Sequence, residues 1–219
     1  EKPDAILHFT DPRYWTWLYD IEREIRQQMP LMYLNIWDDY PAPLYNKAYY
    51  ECCDLLMGIS KQTVNINKLV LEEAANGKII EYVPHGINED FFFPITPEYK
   101  NYDKYLEFKK NVFEGKEIEF VVFWNSRNIR RKSPGDVILA FRHFCDTIGE
   151  EKAKKCALIM HTQPVDENGT DLYAVRDAIC DSNYVNVFFS QDRLGAEQMN
   201  WLYNLADVTA LISSNEGWG

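Results

Sequence analysis

Strand-like and helix-like segments alternate along almost the whole chain, and this restricts the possible folds more than any other feature of the sequence. "DAILHF" is a short apolar run, "YWTWLYDIEREIRQQ" has helical apolar spacing, and "PLMYLNIW" is a buried-strand pattern after a proline. "PLYNKAYYECC" continues as a helix and "DLLMGIS" as a strand, then "KQTVNINKLVLEEAANG" as a helix with Gly77 expected as its C-terminal cap, before the strand of "KIIEYVPHG". Such a β-α-β-α series predicts a parallel sheet wrapped by helices.

The series is interrupted between about Pro94 and Gly115, where "PITPEYKNYDKYLEFKKNVFEG" is polar and carries no buried-strand pattern. We read residues 97–116 as a linker that includes an entering helix. Alternation then resumes, with "IEFVVFWN", "CALIMH", "VNVFF" and "DVTALIS" as strands and "PGDVILAFRHFCDTIG", "DLYAVRDAIC" and "GAEQMNWLYNLA" as helices. The expectation is two α/β units in tandem, residues 1–96 and 117–219, with ligands at the carboxyl ends of the strands.

Charge and cysteine content narrow the partners. The net charge of −11 is spread over both parts: residues 1–96 carry 15 acids and 8 bases, and residues 97–219 carry 19 acids and 15 bases. No general nucleic-acid binding is expected of such a surface. The five cysteines form no C-x-x-C pair and are odd in number, so neither a zinc site nor a disulfide framework is indicated, and a cytoplasmic setting is expected. No stretch approaches the ~20 apolar residues of a membrane span. The chain starts in a strand-like run without methionine or signal peptide and stops on a glycine-rich turn, so truncation is expected at both ends.

Three segments carry chemistry. In "FWNSRNIRRKSPGDVILAF" a buried strand runs into a loop holding Arg127, Arg130, Arg131 and Lys132, directly before a helix. Cations beside a helix N-terminus suit a pyrophosphate; the alternative is a solvated basic turn. The terminal "SSNEGWG" sets the carboxylate of Glu216 after a strand, among small residues that let a ligand approach the backbone. In "YVPHGINEDFFFP", Pro84 and Gly86 are expected to make a tight loop, with the aromatics beyond docking the linker against the first unit.

In this order and spacing the three segments resemble the family 4 glycosyltransferases of the GT-B fold. The family's arginine, four residues and lysine are matched by Arg127 and Lys132. Its signature of a serine, two residues, then Glu-Gly-aromatic-Gly is matched by Ser213, Glu216, Gly217, Trp218 and Gly219, after "LYNLADV". Its linker-proximal motif looks like "PHGINEDFFFP", with a departure at His85.

The resemblance implies two Rossmann-like domains facing across a cleft, both incomplete here, with the chain an internal fragment that is inactive alone. It implies a hexosyl transfer from a nucleotide-diphosphate sugar to a carbohydrate or other hydroxyl acceptor, with retention of anomeric configuration. No metal or resident cofactor is implied. Arg127 and Lys132 would hold the donor diphosphate, and Glu216, Gly217, Trp218 and Gly219 the donor sugar. A sugar-nucleotide epimerase and a non-catalytic binding module are alternative readings.

Some family features are missing. The second glutamate of the paired motif falls beyond residue 219, the N-terminal glycine-rich loop is absent, and Trp37 and Asp38 stand where many members have histidine and aspartate. Asp38 is the candidate catalytic carboxylate of the first unit, with Asp39 beside it; a capping aspartate before a proline turn is the other reading. His85, Gly86 and Ser213 are candidate cleft residues. His8 and His161 end apolar strands and could line the cleft too, whereas His143 is expected to pack on a helix, and none has metal-ligand spacing.

Overall fold

A computed structural model describes residues 3–180 and 183–218. Their contacts divide into two compact units, Glu1–Gly86 with Asn215–Gly219, and Ile87–Ser214.

The first unit has four strands, β1 (Ile6–His8), β2 (Leu31–Asn35), β3 (Leu55–Gly58) and β4 (Ile79–Tyr82), paired in chain order and all parallel. Between them lie α1 (Thr16–Asp20), α2 (Glu22–Arg26), α3 (Lys47–Glu51) and α4 (Lys61–Leu71). Strands added in one direction by right-handed crossovers place their helices on one face of the sheet. The alternation along β2 results from this, with Leu31, Tyr33 and Asn35 buried and Met32 and Leu34 only half-buried. Leu31, Tyr33, Tyr50, Leu56, Ile66 and Val70 make the core, while Leu7 and Ile79, in register on the other face, are 54% and 60% exposed.

Two helices differ from expectation. The segment 14–28 breaks at Ile21, which leaves helical geometry at φ −106°, ψ 17°. The helix from Lys61 ends at Leu71 rather than at Gly77. Its amide cap is Glu72, at φ 52°, whose N–H donates to the Lys68 carbonyl, and residues 72–77 tighten into a 3-10 turn. At the other end Ser60 accepts from the Thr63 N–H at 3.0 Å, a side-chain N-cap.

His8 closes β1 inside this core. It is 5% exposed, its Nδ1 lies 2.6 Å from the Tyr19 hydroxyl, and its ring stacks on Tyr33 at 5.1 Å. Burial lowers its pKa, and burial does the same to His161. A depressed folded-state value means that stability is fully present above the unfolded value, about 6.5, and is lost as pH falls below it toward the folded value. The thermal midpoint is therefore expected to drop between roughly pH 7 and pH 5, and His8→Gln to flatten that profile. A pH-scanned melting series that is unchanged by the substitution would refute the assignment.

The second unit contains α5 (Tyr102–Val112), β5 (Phe120–Asn125), α6 (Pro134–Ile148), α7 (Glu150–Ala153), β6 (Cys156–His161), α8 (Leu172–Ile179), β7 (Asn186–Ser190), α9 (Ala196–Leu205) and β8 (Val208–Thr209). The sheet order is β7-β6-β5-β8, all parallel. Strand order reverses between β5 and β8, the place where an open α/β sheet leaves a crevice at its carboxyl edge. Both faces are covered. Trp124, Ile138, Phe141, Cys145 and Leu158 pack on one side, and Tyr105, Phe113, Phe123, Ile159 and Trp201 on the other. In consequence β6 is buried along nearly its whole length.

The boundary between units falls at residue 86, not 96, and the segment 97–116 is part of the second unit. Tyr105 and Phe113 are buried in its core. Asn200 Oδ1 accepts from the Phe93 N–H at 3.2 Å, and Asn204 Oδ1 from the Ile95 N–H at 2.7 Å. The aromatics after Gly86 accordingly dock on the second unit: Phe92 lies 6.0 Å from Tyr203 and Phe93 5.6 Å from Tyr99. Nor does Gly86 make a tight turn. Its φ is not positive, a side chain there would meet nothing within 4 Å, and the turn comes later, where the Asn88 carbonyl accepts from the Phe91 N–H.

The last expected strand is shortened to Val208–Thr209, with one further bond from the Ala210 N–H to the Phe123 carbonyl. Leu211 and Ile212 beyond it are nearly half exposed. His143 is exposed on α6 rather than packed. Cys52, Cys53, Cys145 and Cys156 are free thiols, and burial pushes those of Cys53 and Cys145 up to about 12, which leaves them unreactive. No described helix is long and apolar enough to cross a membrane.

Candidate functional site

The basic loop begins where β5 ends. Ser126 and Arg127 leave the strand, Asn128 turns inward and is fully buried, and Arg130–Lys132 form a 3-10 turn. Ser133 adopts a left-handed conformation at φ 48°, ψ 45°, and Pro134 opens α6 at the position where a missing N–H costs nothing. Lys132 is buried while Arg127 stands at the surface. The Arg127 guanidinium donates to both oxygens of Asp166, Nε to Oδ2 at 3.0 Å and Nη2 to Oδ1 at 3.3 Å. This pairing holds the Asp166 carboxyl below the usual carboxylate range.

Asn128 fastens a second loop to the first. Its Nδ2 donates to the carbonyls of Gln163 at 3.3 Å, Pro164 at 3.0 Å and Thr170 at 2.6 Å, and its Oδ1 accepts from the Thr170 N–H at 3.2 Å. Gly169 passes so close that a Cβ would lie 2.1 Å from the Asn128 carbonyl oxygen. The loop between β6 and α8 is thus locked against the basic loop with Asp166 facing Arg127.

Beside these two loops a cavity of about 400 Å³ opens at the carboxyl ends of β5, β6 and β7. Arg127 and Asp166 line it together with His161, Thr162, Gln191 and Arg193. His161 Nδ1 lies 2.9 Å from Ser190 Oγ, and Gln163 Nε2 donates to the Gln191 carbonyl at 2.9 Å. The cavity therefore offers two guanidinium groups, with the Asp166 and Asp192 carboxylates beside them, and several neutral donors at the edge where a parallel sheet binds anions. Local sequence pattern points to Arg127 and to His161 as a lining residue; it gives no sign of Asn128, Asp166, Gly169, Gln191 or Arg193.

The lead-in "LYNLADV" has structural tasks. The Tyr203 hydroxyl accepts from Asn125 Nδ2 at 3.0 Å and its ring meets Phe123 edge-on at 5.1 Å. Asp207 Oδ2 accepts from the Val121 N–H at 2.8 Å, and the Asp207 N–H donates to the Val121 carbonyl at 2.9 Å, which sets the β5–β8 register. The Ser214 N–H then donates to the Arg131 carbonyl at 2.9 Å, and Ser213 Oγ is buried with no hydrogen-bond partner among the described residues.

In the first unit the loop after β2 carries Trp37, Asp38 and Asp39. Trp37 Nε1 donates to the Asp39 carbonyl at 2.8 Å, and Asp39 Oδ1 accepts from the Tyr40 N–H at 2.7 Å, so Asp39 organises the turn while Asp38 is half-buried beside it. Gly217 packs on this loop. A Cβ there would come within 2.7 Å of the Ile36 carbonyl oxygen and 3.4 Å of Asp38 Cβ. Asp38 and Gly217, far apart in sequence, thus share one place. Trp218 is 46% exposed, and Gly219 lies outside the described residues. His85 is exposed, with Phe9 edge-on at 6.1 Å.

Solved structures of similar fold accompany this geometry. The trehalose-6-phosphate phosphatase N-terminal domain of Candida albicans superimposes with a TM-score of 0.73 at 17% identity, over 100% of this chain and 53% of that one. The α,α-trehalose 6-phosphate synthase of Burkholderia multivorans gives 0.70 at 11% identity, over 99% and 52%. A glycosyltransferase from Rickettsia africae ESF-5 gives 0.64 at 16% identity, over 96% and 51%. The likeness is one of fold. It is the GT-B architecture expected from the motif order, and the chain spans about half the length of these structures. No protein-family model and no curated protein sequence matches the chain.

Proposed function

We propose that the chain belongs to a glycosyltransferase that moves a sugar from a nucleotide-diphosphate donor to a hydroxyl acceptor with retention of configuration. The observation that carries this reading is the basic loop at the end of β5, with Arg127 opening onto a cavity of about 400 Å³ at the carboxyl edge of a Rossmann-like sheet. Solved structures of the same fold are named as a trehalose-6-phosphate synthase and a glycosyltransferase, which supports sugar transfer as the chemical class.

In this reading Arg127 and Lys132 hold the donor diphosphate. As the glycosidic bond breaks, the leaving nucleoside diphosphate gains negative charge, and fixed cations stabilise that charge more than they stabilise the bound donor. Glu216 accepts hydrogen bonds from hydroxyls of the transferred sugar, with Gly217 allowing close approach. Asp38, beside Gly217, serves the sugar or its acceptor. The loops after β1 and β2 supply the acceptor surface, where Tyr14, Trp17 and Tyr45 are well exposed and the Arg13 guanidinium lies 5.5 Å over the Tyr45 ring.

A thermal-shift screen against uridine, guanosine and adenosine diphosphates and their sugar conjugates tests the reading, because a ligand of the native state raises the melting midpoint with its occupancy. A shift selective for one base is expected, followed, in the whole enzyme, by diphosphate release from the matching nucleotide sugar when a hydroxyl acceptor is supplied. Absence of any shift in a chain that melts cooperatively would contradict it, and a shift without release by the whole enzyme would favour a binding module.

A further inference from the structure

The contact between Arg127 and Asp166 is unequal. The Asp166 side chain is only 13% exposed and that of Arg127 61%. The carboxylate is also the anchored partner: its Oδ1 accepts from the Asn168 N–H at 2.9 Å, its backbone carbonyl from the Gly169 N–H at 3.0 Å, and the whole loop is pinned by buried Asn128. Gly169 leaves that loop no room to shift toward Asn128. The guanidinium reaches the pair on a flexible, solvated stem. Both groups face the same cavity.

We propose that Asp166 is a built-in competitor for the donor diphosphate: it holds the Arg127 guanidinium in a two-point ion pair that an incoming diphosphate must displace. This rests on the reading of Arg127 as a diphosphate ligand. A diphosphate and a carboxylate ask the same N–H donors for the same fork-shaped contact. While Asp166 occupies Nε and Nη2, the fraction of Arg127 open to ligand falls, and the apparent affinity falls with it. While the anion is seated, Asp166 still competes for the same guanidinium and closes on it again as the anion departs, so the pair favours release of the nucleoside diphosphate product. A side chain that merely positioned Arg127 would act in the opposite direction, because its loss would weaken binding.

Calorimetric titration of the chain with inorganic pyrophosphate and with uridine, guanosine and adenosine diphosphates separates these roles. Asp166→Asn keeps an oxygen for the Asn168 N–H and is expected to tighten binding about fivefold, the scale of an exposed ion pair. Asp166→Ser, which retains a hydroxyl acceptor there, is expected to change affinity in the same direction. In an Arg127→Ala background, Asp166→Asn is expected to add nothing, since the effect runs through the guanidinium. The proposal is overturned if Asp166→Asn weakens binding or leaves it unchanged, or if the gain persists without Arg127. Should Arg127→Ala itself leave all four affinities unchanged, the diphosphate reading fails and the Asp166 proposal with it. If Arg127→Ala weakens binding while Asp166→Asn brings no gain, only the competitor role is lost.

Discussion

Replacing Arg127 by alanine is expected to weaken nucleoside diphosphate binding by roughly 10- to 100-fold, as loss of a charged, forked donor to a phosphate does. The fold should suffer little, because the guanidinium is at the surface and the Asp166 carboxylate keeps its bond from the Asn168 N–H. Lys132→Met should weaken the same ligands while keeping the buried apolar stem in place. Equal affinities in both variants and the parent chain, by calorimetry, would remove the diphosphate assignment.

The second large effect is expected at Asn128. Alanine there deletes the donor to three carbonyls and the acceptor for the Thr170 N–H, in a place with no exposure to water. Each buried backbone group left unpaired costs about 1–3 kcal/mol, and partial relaxation of the loop would bring the net loss to about 2–4 kcal/mol. The denaturation midpoint should fall accordingly, and the loop from 163 to 170 should lose amide-exchange protection before the sheet does. A variant as stable as the parent would show that the loop is held by other means.

These two positions mark the limit of what is legible in the sequence. Arg127 and Lys132 stand in a short basic run between a strand pattern and a helix pattern, so local periodicity is enough to place them at a sheet's carboxyl edge. The same periodicity yields seven of the eight strands nearly in full, and in the second unit this is because parallel strands buried between helices need continuous apolar runs. Asn128 looks like any polar loop residue, and its partners lie 35 to 42 positions later. Gly169 and Asp166 are equally unreadable, for their roles depend on two loops meeting. The segment 97–116 reads as a linker because it is polar, whereas three of its residues, Tyr99, Tyr105 and Phe113, suffice to seat it on the second unit. The eighth strand is shorter than its apolar run because a segment at a sheet edge needs a neighbour to remain a strand, and Ala210 makes its last described bond.

The central claim, that the loop after β5 receives a diphosphate, is tested most directly by recording amide spectra of the 15N-labelled chain during titration with uridine, guanosine and adenosine diphosphates. The expected result is a set of saturable shifts at residues 126–133, 161–163 and 190–193, strongest for one base and abolished by Arg127→Ala. Shifts confined to other parts of the chain, or none at ligand concentrations in the millimolar range, would contradict it.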